Sequence, residues 1–449
     1  MRALQKTLKR QTFTVSRELE YFSEAELTTQ TGYARERWWP DVVTKELVDN
    51  ALDASEQGGT APEIAVDLER HRLEVRDNGP GIQPAVVKRI LDYSTRTGDK
   101  QAYVSPTRGA QGNALKTILA IPYVLAGGKD VTVEIESRGL KHRILVSTDA
   151  IARRPKIQNE AVEIVKTEGT VVRVPGDSAC SNGHEESLRN LQNLILDYSL
   201  FNPHATFTVN GQRFEATSTG WWKWVATDPT SAHWYDVERL EYLVASYIAA
   251  ERDRGKKPRT VREFVSEFRG LSATAKQSEV TEGSGLGRAY LHELAGNGKL
   301  DRHALARLLE AMTKASRPVK PEGLGMLGEE HFRRRIAADP KASGETFRYS
   351  RQKGFDARGL PYLVECAFGM VDAKSPLRGL HTGLNWSVPL GQALGQSEFE
   401  IDGENVVDGL SAVLARNRIS MYSDPVCLAI HLACPRFRFL DRGKGSVSL

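Results

Sequence analysis

Glu46, Asn50 and Asp53 are spaced by four and then three residues in Glu46-Leu47-Val48-Asp49-Asn50-Ala51-Leu52-Asp53-Ala54. Each interval is about one turn of an α-helix, so a carboxylate, a carboxamide and a second carboxylate share one stripe. Val43, Leu47, Ala51 and Ala54 fall on another stripe and can pack on a sheet. A helix with an apolar side and an acid–amide side suits a site that holds a metal ion and activates water.

The turn Asp77-Asn78-Gly79-Pro80-Gly81 follows 24 residues after Asp53. The carboxylate of Asp77 can accept a hydrogen bond from an exocyclic amino group such as that of adenine. Gly79 and Gly81 lack a Cβ, so a flat ring can approach the chain. Taken alone, Asp-Asn-Gly is an ordinary hairpin turn; coupled to the preceding helix it reads as part of a ligand site. Farther on, Arg108-Gly109-Ala110-Gln111-Gly112-Asn113 runs straight into an apolar helical segment. Glycines before a helix N-terminus expose backbone N–H groups to an anion, which makes this loop a phosphate cradle, with Lys116 adding charge from the first helical turn. By itself such a loop is more often a plain surface loop, and it lacks the Gly-Lys-Ser/Thr of a P-loop. Gly169-Thr170 opens a later strand, where the Thr170 hydroxyl can share a water with Asp77.

These residues need elements to position them. The pattern predicts an arm over 11–30, a helix from Asp41 to Ser55, and a hairpin of strands through Ile64–Leu68 and Leu73–Val75. A helix with Pro84 in its first turn follows, then a loop over 94–113 and a helix from Ala114 to Ala120 that Pro122 ends. Strands are expected at Val131–Glu136, Arg143–Thr148 and Thr170–Val174, giving an α+β layer sandwich. From Val237 to Ala315 the pattern is helical, with a capping box at Thr260–Glu263 and an apolar stripe of Leu305, Leu308, Leu309 and Met312. Residues 316–328 read as a linker. Strands return at Pro361–Phe368 and Val426–Ala433, with a helix over Val406–Arg416 between them.

The 449 residues suffice for two or three domains, and 40% hydrophobic with 26% charged residues is ordinary for a soluble globular protein. A net charge of +4 permits nucleic-acid contact without arguing for it. Cys180, Cys366, Cys427 and Cys434 make no CxxC pair and fit buried thiols in a reducing cytoplasm. No apolar run is long enough for a signal peptide or a membrane span. No His/Cys/Asp group has metal-ligand spacing, and no serine or cysteine nucleophile stands out.

Glu-x-x-x-Asn paired with Asp-x-Gly-x-Gly, the glycine lid and the late Gly-Thr resemble the nucleotide-binding motifs of the GHKL superfamily, which includes gyrase, MutL, histidine kinases and type IIB topoisomerases. Thr260–Val280 and Leu300–Glu330 are similar to the helix–two-turns–helix insert in the B subunit of topoisomerase VI. Gly359–Phe368 resembles the opening strand of its transducer domain, and Asp424–His431 with Arg442-Gly443-Lys444 its last strand and lysine loop. The resemblance implies a GHKL (Bergerat) α/β sandwich with its N-terminal arm over 1–215, a helical insert over 216–330 and an α/β transducer domain over 331–449. It implies that Glu46 is the general base, Asn50 a Mg²⁺ ligand, Asp77 and Thr170 the adenine readers, and Gly79 and Gly81 part of that pocket. Arg108, Gly109, Gly112 and Lys116 would then serve the phosphates, and Lys444 would be the switch lysine that reaches the γ-phosphate. Implied with these are ATP and Mg²⁺, duplex DNA, an ATP-dependent homodimer, and a DNA-cleaving partner like the A subunit of topoisomerase VI.

Two departures from the family pattern stand out. Ala114 occupies the place of a further lid glycine, and the chain stops five residues after Lys444, where the B subunit ordinarily continues into a long helix. Either the chain is truncated or it couples to its partner differently. A nucleotide-switched scaffold or DNA-binding module in a repair or defence complex is the competing reading. The basic run Arg254, Lys256, Lys257, Arg259 and Arg262 and the run Arg333–Arg335 read as solvated surface before they read as DNA contacts. Trp221, Trp222 and Trp224 read as core or junction packing, and His431 as a satisfied core histidine.

Overall fold

A computed structural model of the chain describes residues 18–93, 102–108, 114–149, 151–152, 154–165, 168–177, 183–253, 255, 257–338, 345–391, 394, 399–401, 404–406, 409–420, 423–439 and 447–448. Helix α1 (Glu24–Thr31) is capped by Ser23, whose hydroxyl accepts from Glu26 N, and stops at Gly32 in the left-handed region. Phe22 and Leu27 are buried, so this part of the expected arm packs into the body.

Helix α2 (Val43–Gln57) carries the acid–amide motif and begins two residues later than expected, because Trp38–Val42 forms its own wider turn around Pro40. Val43, Leu47 and Ala51 are buried on the sheet side as their spacing requires. Strands β1 (Glu63–Glu69) and β2 (Arg72–Asp77) make the predicted hairpin, with Val66 opposite Val75 and Leu68 opposite Leu73. Helix α3 (Pro84–Ile90) has Pro84 in its first turn. Helix α4 (Ala114–Leu125) runs through Pro122 instead of ending there. Pro122 forfeits one backbone bond, but Ile118–Ile121 and Tyr123 are buried around it. The chain leaves the helix only at Gly127 and Gly128, where Gly128 N donates to Tyr123 O at 3.0 Å.

Strands β3 (Val131–Ser137), β4 (Leu140–Asp149), β5 (Arg154–Glu163) and β6 (Thr170–Pro175), helix α5 (His184–Phe201) and strands β7 (Thr206–Val209) and β8 (Gln212–Phe214) complete this part. The eight strands lie in the order β5-β4-β3-β6-β2-β1-β7-β8, with β1 and β7 parallel and the other neighbours antiparallel. Helices α2, α4 and α5 pack on this sheet. Asp77 closes β2 directly opposite Thr170, the first residue of β6. Two motifs 93 residues apart in sequence thereby become neighbours in the pairing register.

The next stretch is helical: α6 (Val237–Asp253), α7 (Val261–Ser266), α8 (Thr274–Gly283), the small hairpin β9 (Ala295–Gly296) and β10 (Lys299–Leu300), and α9 (Arg302–Ala315). The Thr260–Glu263 capping box forms, and Leu305, Leu308 and Met312 are fully buried at helical spacing. Residues 316–328 are packed rather than an open linker: Pro321, Leu324 and Leu327 are buried, and Gly325 bridges to Lys223. After α10 (Glu329–Ala337) comes a mixed sheet of β11 (Arg348–Phe355), β12 (Pro361–Met370), β13 (Gly379–Leu384) and a later strand, β16 (Val426–Ala433). Between β13 and β16 lie the hairpin β14 (Phe399–Ile401) and β15 (Glu404–Val406) and helix α11 (Gly409–Arg416); Val406 thus ends a strand rather than opening the helix. Strand β16 is buried along its whole length, as expected of a strand between two neighbours in the order β11-β12-β16-β13. One continuous apolar cluster runs from Phe22 to Cys434. No helix among the described residues is long and apolar enough to cross a membrane.

Candidate functional site

Asp77 sits where β2 ends against β6. Its Oδ1 accepts from Gly79 N at 2.8 Å and from Thr170 N at 3.2 Å. Burial pushes its carboxyl up to about 6 despite these bonds. Thr170 is itself buried. The turn below is tied on both sides. Asn78 Oδ1 accepts from Ser55 Oγ at 3.3 Å and from Glu63 N at 3.0 Å, and its Nδ2 donates to Ala61 O at 2.9 Å. Ile82 N donates to Ser137 Oγ at 2.8 Å.

The glycines of the turn act differently from the expectation. A Cβ on Gly79 would meet Asp77 Oδ1 at 3.0 Å and Ala54 Cβ at 3.3 Å, and one on Gly81 would meet Ser137 Oγ at 2.7 Å. Their bare sides face the protein, so they let the turn press against the end of α2 and against β3, rather than clearing room for a ring. The most demanding glycine is Gly169, at φ 76°, where a Cβ would fall 1.7 Å from Asp77 O. Only glycine lets the chain enter β6 so close to the Asp77 backbone carbonyl.

On α2, Glu46 and Asn50 share a stripe. Glu46 keeps a third of its side chain exposed, and its described contact is Lys45 Nζ at 3.4 Å. The Asn50 Nδ2 is buried and has no hydrogen-bond partner among the described residues. An unpaired buried donor is costly and uncommon, and this one lies on the same stripe as the part-exposed Glu46. Among the described residues, no group of three or more His, Cys, Asp or Glu could hold a metal ion. The Asn50 nitrogen is a donor and would meet an acceptor such as a phosphate oxygen. That leaves Oδ1 as the Asn50 atom that would hold a Mg²⁺ ion, an ion usually held by one or two carboxylates together with substrate phosphates. The Asp77 turn lies against Ala54, and eight residues of helix separate that level from Glu46, roughly 12 Å. That is a span suited to an extended nucleoside triphosphate.

Asp53 does not join the Glu46–Asn50 pair. It is buried and bonded to Arg108 Nη1 at 3.1 Å. Arg108, expected at the phosphates, is fully buried. Its Nε donates to Trp386 O at 3.1 Å, Nη1 to Asp53 and to Glu56 Oε2 at 2.7 Å, and Nη2 to Glu56 Oε1 at 2.8 Å and to Asn202 Oδ1. All five of its donors are thereby used inside the protein. Glu56 also takes Lys223 and, at 2.8 Å, His204. Burial alone would raise the Glu56 carboxyl, but Arg108 and Lys223 outweigh it and hold it well below the usual range. Burial and the neighbouring Arg108 bring Lys223 down to about 8, and burial brings His204 down to about 4. Lys116 is likewise turned inward: it is buried, donates from Nζ to Asp92 O, and lies 5.7 Å from the Tyr93 ring centre. The local reason is the same for both expected phosphate ligands. A long cation that finds carboxylates or carbonyls within the fold is held there, not at an open edge.

Gly109, Gly112 and Lys444, together with Arg254, Lys256 and Cys180, lie outside the described residues. Of the other residues weighed, Arg259 pairs with Glu267 and Arg262 with Gln277. Arg333 and Arg334 pair with Glu329 and Glu330 one turn away, as solvated charges do. Trp224 is buried against Trp234 at 4.8 Å, Trp221 stacks on His204 at 4.1 Å, and Trp222 is half exposed. His431 is a core histidine but only half satisfied: its Nδ1 lies 3.2 Å from Glu365, and its buried Nε2 has no partner among the described residues. Sequence reasoning missed Glu56, Lys223, His204 and Trp386. The one signal available was the heptad-like spacing of Asp49, Asp53 and Glu56 on α2, an acidic stripe on an otherwise buried helix.

Residues 40–139 match the family described as histidine kinase-, DNA gyrase B- and HSP90-like ATPases. This span contains Glu46, Asn50 and the Asp77 turn. The chain is similar to the B subunit of type 2 DNA topoisomerase 6 from Natronomonas pharaonis, 28% identical over 170 residues, which is 36% of this chain and 20% of that protein. The corresponding protein of Methanosarcina acetivorans is 24% identical over 339 residues, 72% of this chain and 51% of that one. The matched stretches thus span between a fifth and about half of these relatives' lengths. Among solved structures, the ATPase region of Saccharomyces cerevisiae topoisomerase II bound to ICRF-187 (dexrazoxane) aligns over 91% of this chain and 77% of that one, at 10% identity and a TM-score of 0.38. That likeness is too slight to carry an argument. The chain carries a GHKL ATPase domain and is distantly similar to the B subunit of topoisomerase VI.

Proposed function

We propose that this protein is an ATP-dependent dimerising clamp of the topoisomerase VI B-subunit type, which opens and closes a gate on duplex DNA together with a separate DNA-cleaving protein. The observation that carries the reading is the pairing of Asn50, whose buried Nδ2 has no partner among the described residues, with a part-exposed Glu46 on one stripe, roughly 12 Å along the helix from the level of the Asp77–Thr170 pair. In this reading Asp77 accepts from the adenine amino group, with Thr170 beside it and the Gly79–Gly81 turn holding both in place. Asn50 turns its side-chain oxygen to Mg²⁺, which when bound offsets the negative charge of the phosphates. Glu46 takes a proton from the attacking water. Gly109 and Gly112 supply phosphate contacts, and Lys444 reaches the γ-phosphate from the transducer domain. Arg108 and Lys116 brace the site from behind. The domain limits near 215 and 330 belong to the same proposal.

The test is the mass in solution with and without a non-hydrolysable ATP analogue and Mg²⁺. A monomer-to-dimer shift that Asp77→Ala abolishes supports the clamp. Confirmed nucleotide binding with no shift replaces it by a nucleotide-switched scaffold without a gate.

A further inference from the structure

Helix α2 has a second polar stripe beside that of Glu46 and Asn50. Asp49, Asp53 and Glu56 follow one another at four and three residues, and each is tied to groups from outside the helix. Two of these ties lead to one place, the turn Asn385-Trp386-Ser387 that follows β13. Ser387 Oγ donates to Asp49 Oδ2 at 2.7 Å. The Trp386 carbonyl accepts from Arg108 Nε at 3.1 Å and Asn202 Nδ2 at 3.1 Å, and the same Arg108 grips Asp53 and Glu56. The turn itself is unusual. Asn385 stands at φ 48° and Trp386 at φ 64°, a left-handed pair closed by mutual Leu384–Ser387 backbone bonds. A bulky indole in that region is an outlier that its surroundings must impose. They do so on every side. Asn385 exchanges two bonds with the Cys434 backbone, and the Trp386 ring lies 4.7 Å from His431 and 5.1 Å from Lys223 Nζ. A Cβ on Gly325 would come within 2.9 Å of the ring. The turn is therefore rigid on the side of the second sheet and bonded to α2 on the other.

We propose that the Trp386–Ser387 turn sets the axial rotation of α2 and so positions Glu46 and Asn50, making Ser387 and Trp386 positioning residues through which the second sheet controls ATP turnover. Asp49 lies one residue before Asn50 and three after Glu46, so a rotation of the helix at Asp49 carries both functional side chains with it. A misplacement on the order of 1 Å is enough to cost a large factor in rate. Lys45 and Tyr198 also hold Asp49, at 2.9 and 2.8 Å, which leaves the ion pair intact when the Ser387 hydroxyl is removed. Ser387→Ala should accordingly fold, and it isolates the tie to the second sheet. The inference rests on the ATPase reading above.

The experiment uses the full chain with Ser387→Ala and Ser387→Thr, and has two readouts. Amide hydrogen exchange without nucleotide should rise about tenfold over residues 46–50 in Ser387→Ala, with the first sheet unchanged and Ser387→Thr close to wild type. In ATP hydrolysis, kcat should fall about tenfold to a hundredfold in Ser387→Ala while KM stays within about twofold, and Ser387→Thr should restore it. Unchanged exchange in α2, a uniform rise across the chain, or a kcat equal to wild type overturns the proposal. A wild-type chain that neither binds nor hydrolyses ATP overturns the functional reading instead, and the exchange result still decides whether the turn holds α2.

Discussion

Two stripes of one helix carry carboxylates and amides of similar chemistry with opposite fates. Glu46 and Asn50 have few partners, and one buried amide nitrogen has none among the described residues. Asp49, Asp53 and Glu56, about a fifth of a turn away, are saturated by Lys45, Tyr198, Ser387, Arg108, Lys223 and His204. The difference teaches how to separate function from structure on a polar helix. On this helix the carboxylates that the fold has saturated belong to the fold, and the side chains it leaves with few partners, Glu46 and Asn50, are the ones proposed to meet the ligand.

The comparison can be broken most forcefully at its structural stripe. Glu56→Ala strips Arg108 and Lys223 of their shared carboxylate inside the core, which should cost about 3–5 kcal/mol. Urea denaturation checks this, and a loss below about 1 kcal/mol would mean the cluster is solvated. Gly169→Ala should cost about 3 kcal/mol or more, because its Cβ would overlap Asp77 O, and the same denaturation series reads it. Asp77→Asn sharpens the contrast from the functional side. The buried carboxyl, pushed up to about 6, favours its neutral form, so the fold loses stability as pH rises from about 4 through 6 and carries the cost of a buried charge above that. The neutral amide removes this cost yet still accepts from Gly79 N and Thr170 N. Asp77→Asn should therefore match or exceed wild-type stability at pH 8 while nucleotide affinity falls; a clear loss of stability would contradict the assignment. The smallest effect lies at the contact between α5 and β13. Burial would lower the His381 imidazolium, but Asp197 at 2.6 Å outweighs it and holds the group well above its ordinary value. Such a group stabilises the fold below the unfolded histidine range and loses that contribution as pH rises through the folded value. Wild type should lose thermal stability toward alkaline pH more steeply than Asp197→Asn, and parallel melting curves would remove the pair from the account.

Much of this arrangement was legible in the sequence because it depends on short periods. The i, i+4 spacing of Glu46 and Asn50, the alternation through Ile64–Leu68, the apolar run Val426–Ala433 and the Thr260–Glu263 capping box all express local geometry, and all formed. Strand β5 was not legible, since Arg154–Glu163 lies at the sheet edge with most side chains exposed and no apolar alternation to betray it. Charge beside glycines favours anions, and on that local ground Arg108 and Lys116 belong at the phosphates. What decided their positions was carboxylates and carbonyls brought in from elsewhere: Glu56 from 52 residues upstream of Arg108, the Trp386 carbonyl from 278 downstream of it, and the Asp92 carbonyl for Lys116. No local pattern announces partners at such distances. Asp53 shows the limit most plainly, because helical spacing placed it correctly on the helix and could not say that Arg108 would claim it.

The most direct test of the division between the two stripes is nucleotide binding and hydrolysis by Glu46→Ala, measured on one preparation beside wild type. With Glu46 as the general base, the variant should bind ATP with wild-type affinity and lose hydrolysis by a factor of about 10²–10⁴, with its denaturation midpoint little changed. Turnover within about twofold of wild type would contradict the account.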